Sequence, residues 1–120
     1  MEFEKKINEI TQNYNLGNFL KAESLAKSLL TRNEKDYQLC NIYGLILLKL
    51  HKTEGAISYF QKSIHIKSDF FDAHFNLSQL FYDLKKYDQA IVQSEKCLKI
   101  NPISIDTFLL LGNLYNKLNN

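Results

Sequence analysis

Histidine and cysteine side chains are few in this chain and stand far apart along it. The histidines are His51, His65 and His74, and the cysteines are Cys40 and Cys97. Zinc and similar ions are usually held by closely spaced pairs of such residues, and neither cysteine stands at a metal-ligand spacing from a histidine. We therefore expect no metal site and no cofactor, and we assign these five residues structural or surface roles.

Sequence motifs for catalysis were sought next. The sequence has no glycine-rich phosphate loop, no nucleophile elbow around a serine and no His-Glu zinc motif. Asp36, Asp69 and Asp88 stand where predicted helices begin, and a carboxylate there can cap free backbone N–H groups. The sequence thus offers no catalytic residue, and the chain is not expected to be an enzyme.

The balance of charge bears on the choice of partner. Fifteen basic and thirteen acidic residues leave a net charge of +2, with the two signs interleaved along the chain. Nucleic acids and anionic membranes are recognised by basic patches, so we expect neither as a partner. The longest apolar run, Leu45 to Leu48, is too short to cross a bilayer, and the first residues lack the apolar run of a signal peptide. We predict a cytoplasmic protein without a disulfide framework.

The elements that position the remaining side chains follow a repeat. Ala22, Ala56 and Ala90 stand 34 residues apart, and apolar helical patterns lie on both sides of Ala56 and Ala90. A fixed period of this length is typical of stacked helix pairs. A small residue early in the second helix of a pair lets the two backbones approach closely. We therefore expect each alanine to mark a close contact between helices.

Other residues recur at the same period and give the chain its likeness to a known family. Residues 71–104 carry the fullest set: His74, Leu77-Ser78, Phe81, Tyr87, Ala90 and Pro102. Residues 37–70 carry Tyr43-Gly44, Leu47, Ala56 and Phe60. The pattern resembles the tetratricopeptide repeat (TPR) family, in which each repeat is a helix-turn-helix of this length.

The resemblance implies an all-α fold, a right-handed superhelix (helical solenoid) of about three and a half repeats in a single domain, residues 1–120. The repeats are 3–36, 37–70, 71–104 and the partial repeat 105–120. Apolar spacing and capping residues predict seven helices, at about residues 3–14, 20–31, 37–50, 55–65, 71–84, 87–100 and 105–118. Asp36, the pair Ser68-Asp69, and Ser104 are the expected N-caps of the third, fifth and seventh helices.

In the resembled family, the first helices of the repeats line a concave groove that holds a partner peptide or helix. The groove positions carried onto this chain include Asn41, Leu45, Leu48, Asp72, Phe75, Gln79, Tyr82, Asp83, Leu109 and Asn113. Five of these are apolar or aromatic residues that packing within the repeat does not require, which predicts an apolar floor beside amides. For Leu45 and Leu48 the alternative role is packing between neighbouring helices.

Charge at the groove positions indicates the chemistry of the partner. Four carboxylates and two lysines fall at these positions. Family members that hold the C-terminal carboxylate of heat-shock chaperones use lysine, arginine and asparagine, whereas this chain has Ile7 and Thr11 in the first repeat and Asp72 and Asn76 in the third. The carboxylate clamp is therefore not expected, and we predict a partner segment that is apolar with neutral or basic flanks.

Two functions stay open. The first is a stand-alone protein–protein interaction module or scaffold; the alternative is the N-terminal recognition arm of a larger enzyme, such as a repeat-bearing glycosyltransferase or sulfotransferase. The apolar helix at 105–118 adds the possibility of self-association through that edge. A helical array that reads RNA is not favoured, because such arrays have a longer period and a basic groove.

Overall fold

The computed structural model describes residues 2–119, and this range folds into seven α-helices joined by short turns. The helices are α1 Glu2–Asn15, α2 Phe19–Leu30, α3 Tyr37–Lys49, α4 Thr53–Ile66, α5 Phe71–Asp83, α6 Tyr87–Ile100 and α7 Ile105–Leu118. The predicted all-α class is confirmed. The predicted boundaries agree to within one or two residues, and the largest shift is at α4, which begins at Thr53 rather than Gly55.

The helices belong to two compact units, the first ending at Lys67 and the second beginning at Ser68. In the N-terminal unit, α1 packs on α2, α2 on α3 and α3 on α4, and α1 also touches α3. In the C-terminal unit, α5 packs on α6 and α6 on α7, and α5 also touches α7. Within each unit, the contacts between consecutive helices are those of a repeated helix pair.

Two of the three predicted helix caps are confirmed. Asp36 accepts a hydrogen bond from the Leu39 backbone N–H at 2.8 Å, and Ser104 Oγ accepts one from Thr107 N–H at 3.2 Å. The prediction for α5 is wrong, because Phe70 occupies its N-cap position and makes no side-chain cap bond. The Ser68 carbonyl instead accepts a hydrogen bond from His74 Nε2 at 2.7 Å.

The alanine positions are the closest packing points, as expected. Ala22, Ala56 and Ala90 are each 0% exposed. In α3, Gly44 lies directly under the ring of Phe60 from α4, and a Cβ built on this glycine would stand 2.7 Å from two ring carbons. The absence of a side chain at Gly44 therefore allows α4 to bring a full aromatic ring against α3.

The turns inside the three helix pairs share one backbone conformation. Gly17, His51 and Lys85 stand 34 residues apart, and their φ angles are 81°, 62° and 62°. These are left-handed values that a side chain disfavours. The chain adopts the same turn each time, with a glycine at only one of the three positions.

Candidate partner-binding cleft between helices α5 and α7

A cleft of about 410 Å³ opens in the C-terminal unit between α5 and α7. Its lining residues are Phe75, Gln79 and Tyr82 from α5 and Asp106, Leu109, Leu110 and Asn113 from α7. On each helix these residues follow a spacing of three or four, which places them on one face. The two helices touch, so the facing stripes form one continuous surface.

The apolar part of the cleft is partly open to solvent. Phe75 and Tyr82 are half-buried, whereas Leu109 is 64% exposed. Leu110 is 5% exposed and closes the bottom of the cleft. Apolar surface of this kind gains free energy when a ligand removes it from water. These residues can therefore serve as anchoring points for a partner side chain.

Two rings of the cleft are held in place by aromatic neighbours. Phe75 stacks on Phe71 with ring centroids 5.9 Å apart and an interplanar angle of 10°. Tyr82 meets Tyr87 of α6 edge to face, with centroids 5.9 Å apart. Because neighbouring rings restrain them, Phe75 and Tyr82 lose little conformational freedom when a ligand binds.

The polar part of the cleft consists of two amides and a carboxylate. Gln79, Asn113 and Asp106 are all exposed, and the amides offer both donors and acceptors to an extended peptide backbone. Asp106 is the only charged residue in the lining. Asp72 and Asp83 lie elsewhere on α5 and are exposed, so they add negative charge to the same helix without lining the cleft.

The structure thus brings together five of the ten predicted groove residues: Phe75, Gln79, Tyr82, Leu109 and Asn113. Leu110 also lines the cleft and was not predicted, because its position in the repeat lies outside the family's groove positions. Its spacing of four from Asp106 and three from Asn113 is the sequence signal that would have found it.

The three predicted residues of the N-terminal unit lie along α3. Leu45 and Leu48 are half-buried, and Asn41 is only 6% exposed. Asn41 therefore presents almost no surface to a partner, while the two leucines present part of theirs. All three share one side of α3 through their spacing of four and three.

The side chains considered first for chemistry are mostly packed or structural. His74 is 2% exposed, and its Nδ1 lies 2.7 Å from Gln93 Oε1. Burial raises the pKa of the Cys97 thiol to about 12, although a hydrogen bond with Thr107 opposes that rise. Burial also raises the pKa of Cys40. Within residues 2–119, no three histidine, cysteine or acidic side chains are grouped so that they could hold a metal ion.

The helices also bear on membrane insertion. No helix between residues 2 and 119 combines the length and apolar character that crossing a bilayer requires.

Repeated helix pairs of this kind, with a cleft between successive first helices, define the helical-repeat class of proteins. The family model described as "Tetratricopeptide repeat" matches residues 37–70 and 71–104. The chain therefore belongs to the tetratricopeptide repeat family, whose fold is consistent with a protein–protein interaction module.

Two relatives match over most of this chain. An uncharacterized protein of Rickettsia prowazekii is 35% identical over 106 residues, which cover 88% of this chain and 31% of the relative. Protein O-mannosyl-transferase Tmtc3 of Drosophila melanogaster is 32% identical over 99 residues, which cover 71% of this chain and 11% of that protein. The chain thus spans less than a third of either relative.

A solved structure shows the same fold. The first TPR of Spaghetti (RPAP3), bound to the HSP90 peptide SRMEEVD, superposes with a TM-score of 0.92 over 98% of this chain and 94% of that one. The two sequences are 14% identical, so the likeness concerns the fold alone. It confirms the helical-solenoid class expected from the sequence.

Proposed function

We propose that this chain is a non-catalytic interaction module and that the cleft between α5 and α7 binds a peptide or helix of a partner protein. The observation that carries the proposal is the convergence of Phe75, Tyr82 and Leu109 on one partly exposed surface, with Gln79 and Asn113 beside them. Apolar anchors flanked by amides are what an extended peptide requires.

Charge favours a partner segment that is apolar with neutral or basic flanks. Asp106 lines the cleft, Asp72 and Asp83 lie on α5, and no lysine or arginine lines the cleft. Complementary charge steers association and disfavours the wrong partner. An acidic peptide such as the one bound by the Spaghetti TPR is therefore not the expected ligand, since this chain has Asp72 and Asn76 where the carboxylate clamp needs cationic or amide side chains.

The proposal is tested with a peptide selected from a random display library on the wild-type chain. Its dissociation constant is then measured against Leu109→Glu and against Val92→Glu. Val92 is a matched control, because it is an exposed apolar residue of α6 that does not line the cleft. We expect binding at least about tenfold weaker for Leu109→Glu and unchanged for Val92→Glu, with equal helical circular dichroism. Equal loss in both variants, or in neither, would remove the cleft as the binding surface.

The sign of the partner's charge is tested separately. The selected peptide is resynthesised with two lysines or two glutamates at its flanks. We expect the lysine version to bind more tightly, because Asp106 lies in the cleft. Equal affinities for the two versions would contradict the predicted partner chemistry.

Leu45 and Leu48 are proposed as a separate contact surface on α3. Leu45→Ser and Leu48→Ser are measured with the same peptide. Weaker binding with an unchanged unfolding midpoint would support partner contact, whereas a lower midpoint with unchanged binding would support the packing role. The single-domain organisation and the cytoplasmic location stay predictions.

The second candidate function is a recognition arm within a larger enzyme. The observation that favours it is the match to an O-mannosyl-transferase, of which the matched residues are 11%. Determining the full reading frame from the source genome tests this candidate. A transferase domain in the same frame would support it, and a frame without any further domain would overturn it.

A further inference from the structure

One face of α7 is apolar and uncovered in the described chain. Ile105, Phe108 and Tyr115 are 73%, 52% and 48% exposed. Gly112 lies between them, and a Cβ built on it would meet nothing within 4 Å. The intervals of three, four and three residues place all four on one side of the helix. We call these four residues the notch face, and none of them lines the cleft described above.

The same repeat positions in α3 show what covers such a face. Sixty-eight residues earlier stand Tyr37, Cys40, Gly44 and Leu47. Here α4 packs on α3, so that Cys40 is 0% and Leu47 5% exposed. The Phe60 ring lies over Gly44 so closely that a Cβ there would stand 2.7 Å from it. A helix with an aromatic residue above the glycine therefore fits this arrangement.

The glycine also distinguishes between two kinds of covering helix. In the C-terminal unit, the positions of Gly44 and Phe60 are taken by Ser78 and Ser94, whose hydroxyl oxygens lie 2.6 Å apart. A side chain on the first helix is thus accompanied by a small residue on the second. Because α7 has Gly112 at this position, the matching partner resembles α4, with its large Phe60, rather than α6.

We propose that the notch face is a docking surface for an amphipathic helix of a partner protein, in which an alanine is followed four residues later by phenylalanine. Ala56 and Phe60 of α4 have this spacing. A second folded copy does not offer such a helix, because its Ala56 and Phe60 are both 0% exposed. This surface is distinct from the cleft and does not depend on the proposed peptide binding.

A peptide with the sequence of residues 53–66 serves as the probe. Ser58→Glu in the peptide is joined to Lys62 by a lactam, since both positions are exposed in α4 and the bridge stabilises the isolated helix. The labelled peptide is titrated with the wild-type chain, with Gly112→Leu and with Asn113→Leu, using fluorescence anisotropy. Asn113→Leu is the matched control, because it adds the same side chain next to the notch but in the cleft.

We expect Gly112→Leu to weaken peptide binding at least about tenfold, because leucine fills the space that the phenylalanine ring needs. Asn113→Leu should change the affinity less than twofold. A Phe60→Ala peptide should also bind at least about tenfold more weakly to the wild-type chain. Helical circular dichroism of Gly112→Leu is expected to be unchanged, since nothing lies within 4 Å of the new Cβ.

Three results would overturn the proposal. The first is no binding of the lactam peptide to the wild-type chain at millimolar concentration, and the second is equal binding by Gly112→Leu. The third is a concentration-dependent dimer of the wild-type chain, seen without peptide by sedimentation and abolished by Gly112→Leu. That result would make a second copy the occupant of the notch face.

Discussion

The packing of each helix pair is decided by two facing positions whose side chains share one space. In α3 and α4 these are Gly44 and Phe60, and in α5 and α6 they are Ser78 and Ser94. Thirty-four residues before Gly44 and Phe60 stand Ile10 and Ala26, both 0% exposed. The larger side chain thus comes from the first helix in one pair and from the second helix in another. A change at one position therefore requires a matching change at the other.

Gly44→Ala is expected to destabilise the chain. The new methyl group would stand 2.7 Å from two ring carbons of Phe60, which is 0% exposed and has no room to move. We expect the free energy of unfolding in urea to fall by about 1–3 kcal/mol. Gly112→Ala is the control and should stabilise the chain by roughly 0.5–1 kcal/mol, since its Cβ meets nothing. Similar effects of the two substitutions would refute the packing argument.

Lys85→Gly is expected to stabilise the chain. Lys85 has a φ of 62°, and its exposed side chain makes no packing contribution that glycine would lose. Relief of a left-handed conformation gains about 1–2 kcal/mol, which exceeds the roughly 0.5–1 kcal/mol of added chain entropy. A rise of about 0.5 kcal/mol in the free energy of unfolding is expected, measured by urea denaturation. Lys85→Ala should give no gain, and an equal gain from it would contradict the conformational explanation.

Stability should fall at alkaline pH in part because of Cys97. Its folded pKa is raised to about 12 by burial, whereas an unfolded thiol titrates near roughly 8.5. The folded state therefore holds the proton more tightly. This contribution is complete below the unfolded pKa and is lost as pH rises toward the folded one. Between pH 8 and 10, urea denaturation should show about 1–2 kcal/mol more loss for the wild type than for Cys97→Ala. Parallel curves would contradict this.

At the scale of the elements, two helices begin at a side-chain cap that the structure requires. Ser104 is 8% exposed, and its hydroxyl group satisfies the Thr107 N–H at the start of α7. Ser104→Ala should lower the free energy of unfolding by about 1 kcal/mol. Lys86→Ala is the matched control, because Lys86 is the N-cap of α6 and makes no side-chain cap bond. Comparable losses in the two variants would show that the serine hydroxyl does not act as a cap.

The elements were predictable where a local signal determines them. The period of 34 residues and the apolar spacing gave the helix pairs, and a capping side chain directly before α3 and α7 gave their starts. The start of α5 was misjudged, because Phe70 separates Asp69 from the helix and a polar pair looked like the better cap. Local polarity does not reveal that the Ser68 carbonyl is needed by His74.

At the scale of the whole molecule, the cleft was predictable only in part. Phe75, Gln79 and Tyr82 follow a spacing of four and three, so a helix necessarily places them on one face. That α7 lies across from them follows from the repeat. The near-complete burial of Asn41 and the place of Leu110 at the bottom of the cleft depend on how neighbouring side chains fill space, which no single-helix pattern contains.

The net charge of the chain and the charge of its cleft have opposite signs, and salt can distinguish their effects. The chain carries +2 overall, whereas Asp106 is the only charged side chain lining the cleft. If the cleft directs recognition, a peptide with lysine flanks should bind roughly 3- to 10-fold more weakly when sodium chloride rises from about 50 to about 500 mM, because salt screens exposed charges. Asp106→Asn should reduce that dependence, while the salt-independent apolar contribution of Leu109 and Phe75 persists. Calorimetric titration of both proteins at the two salt concentrations measures this difference, and affinity that increases with salt for the lysine-flanked peptide would locate its binding surface elsewhere on the molecule.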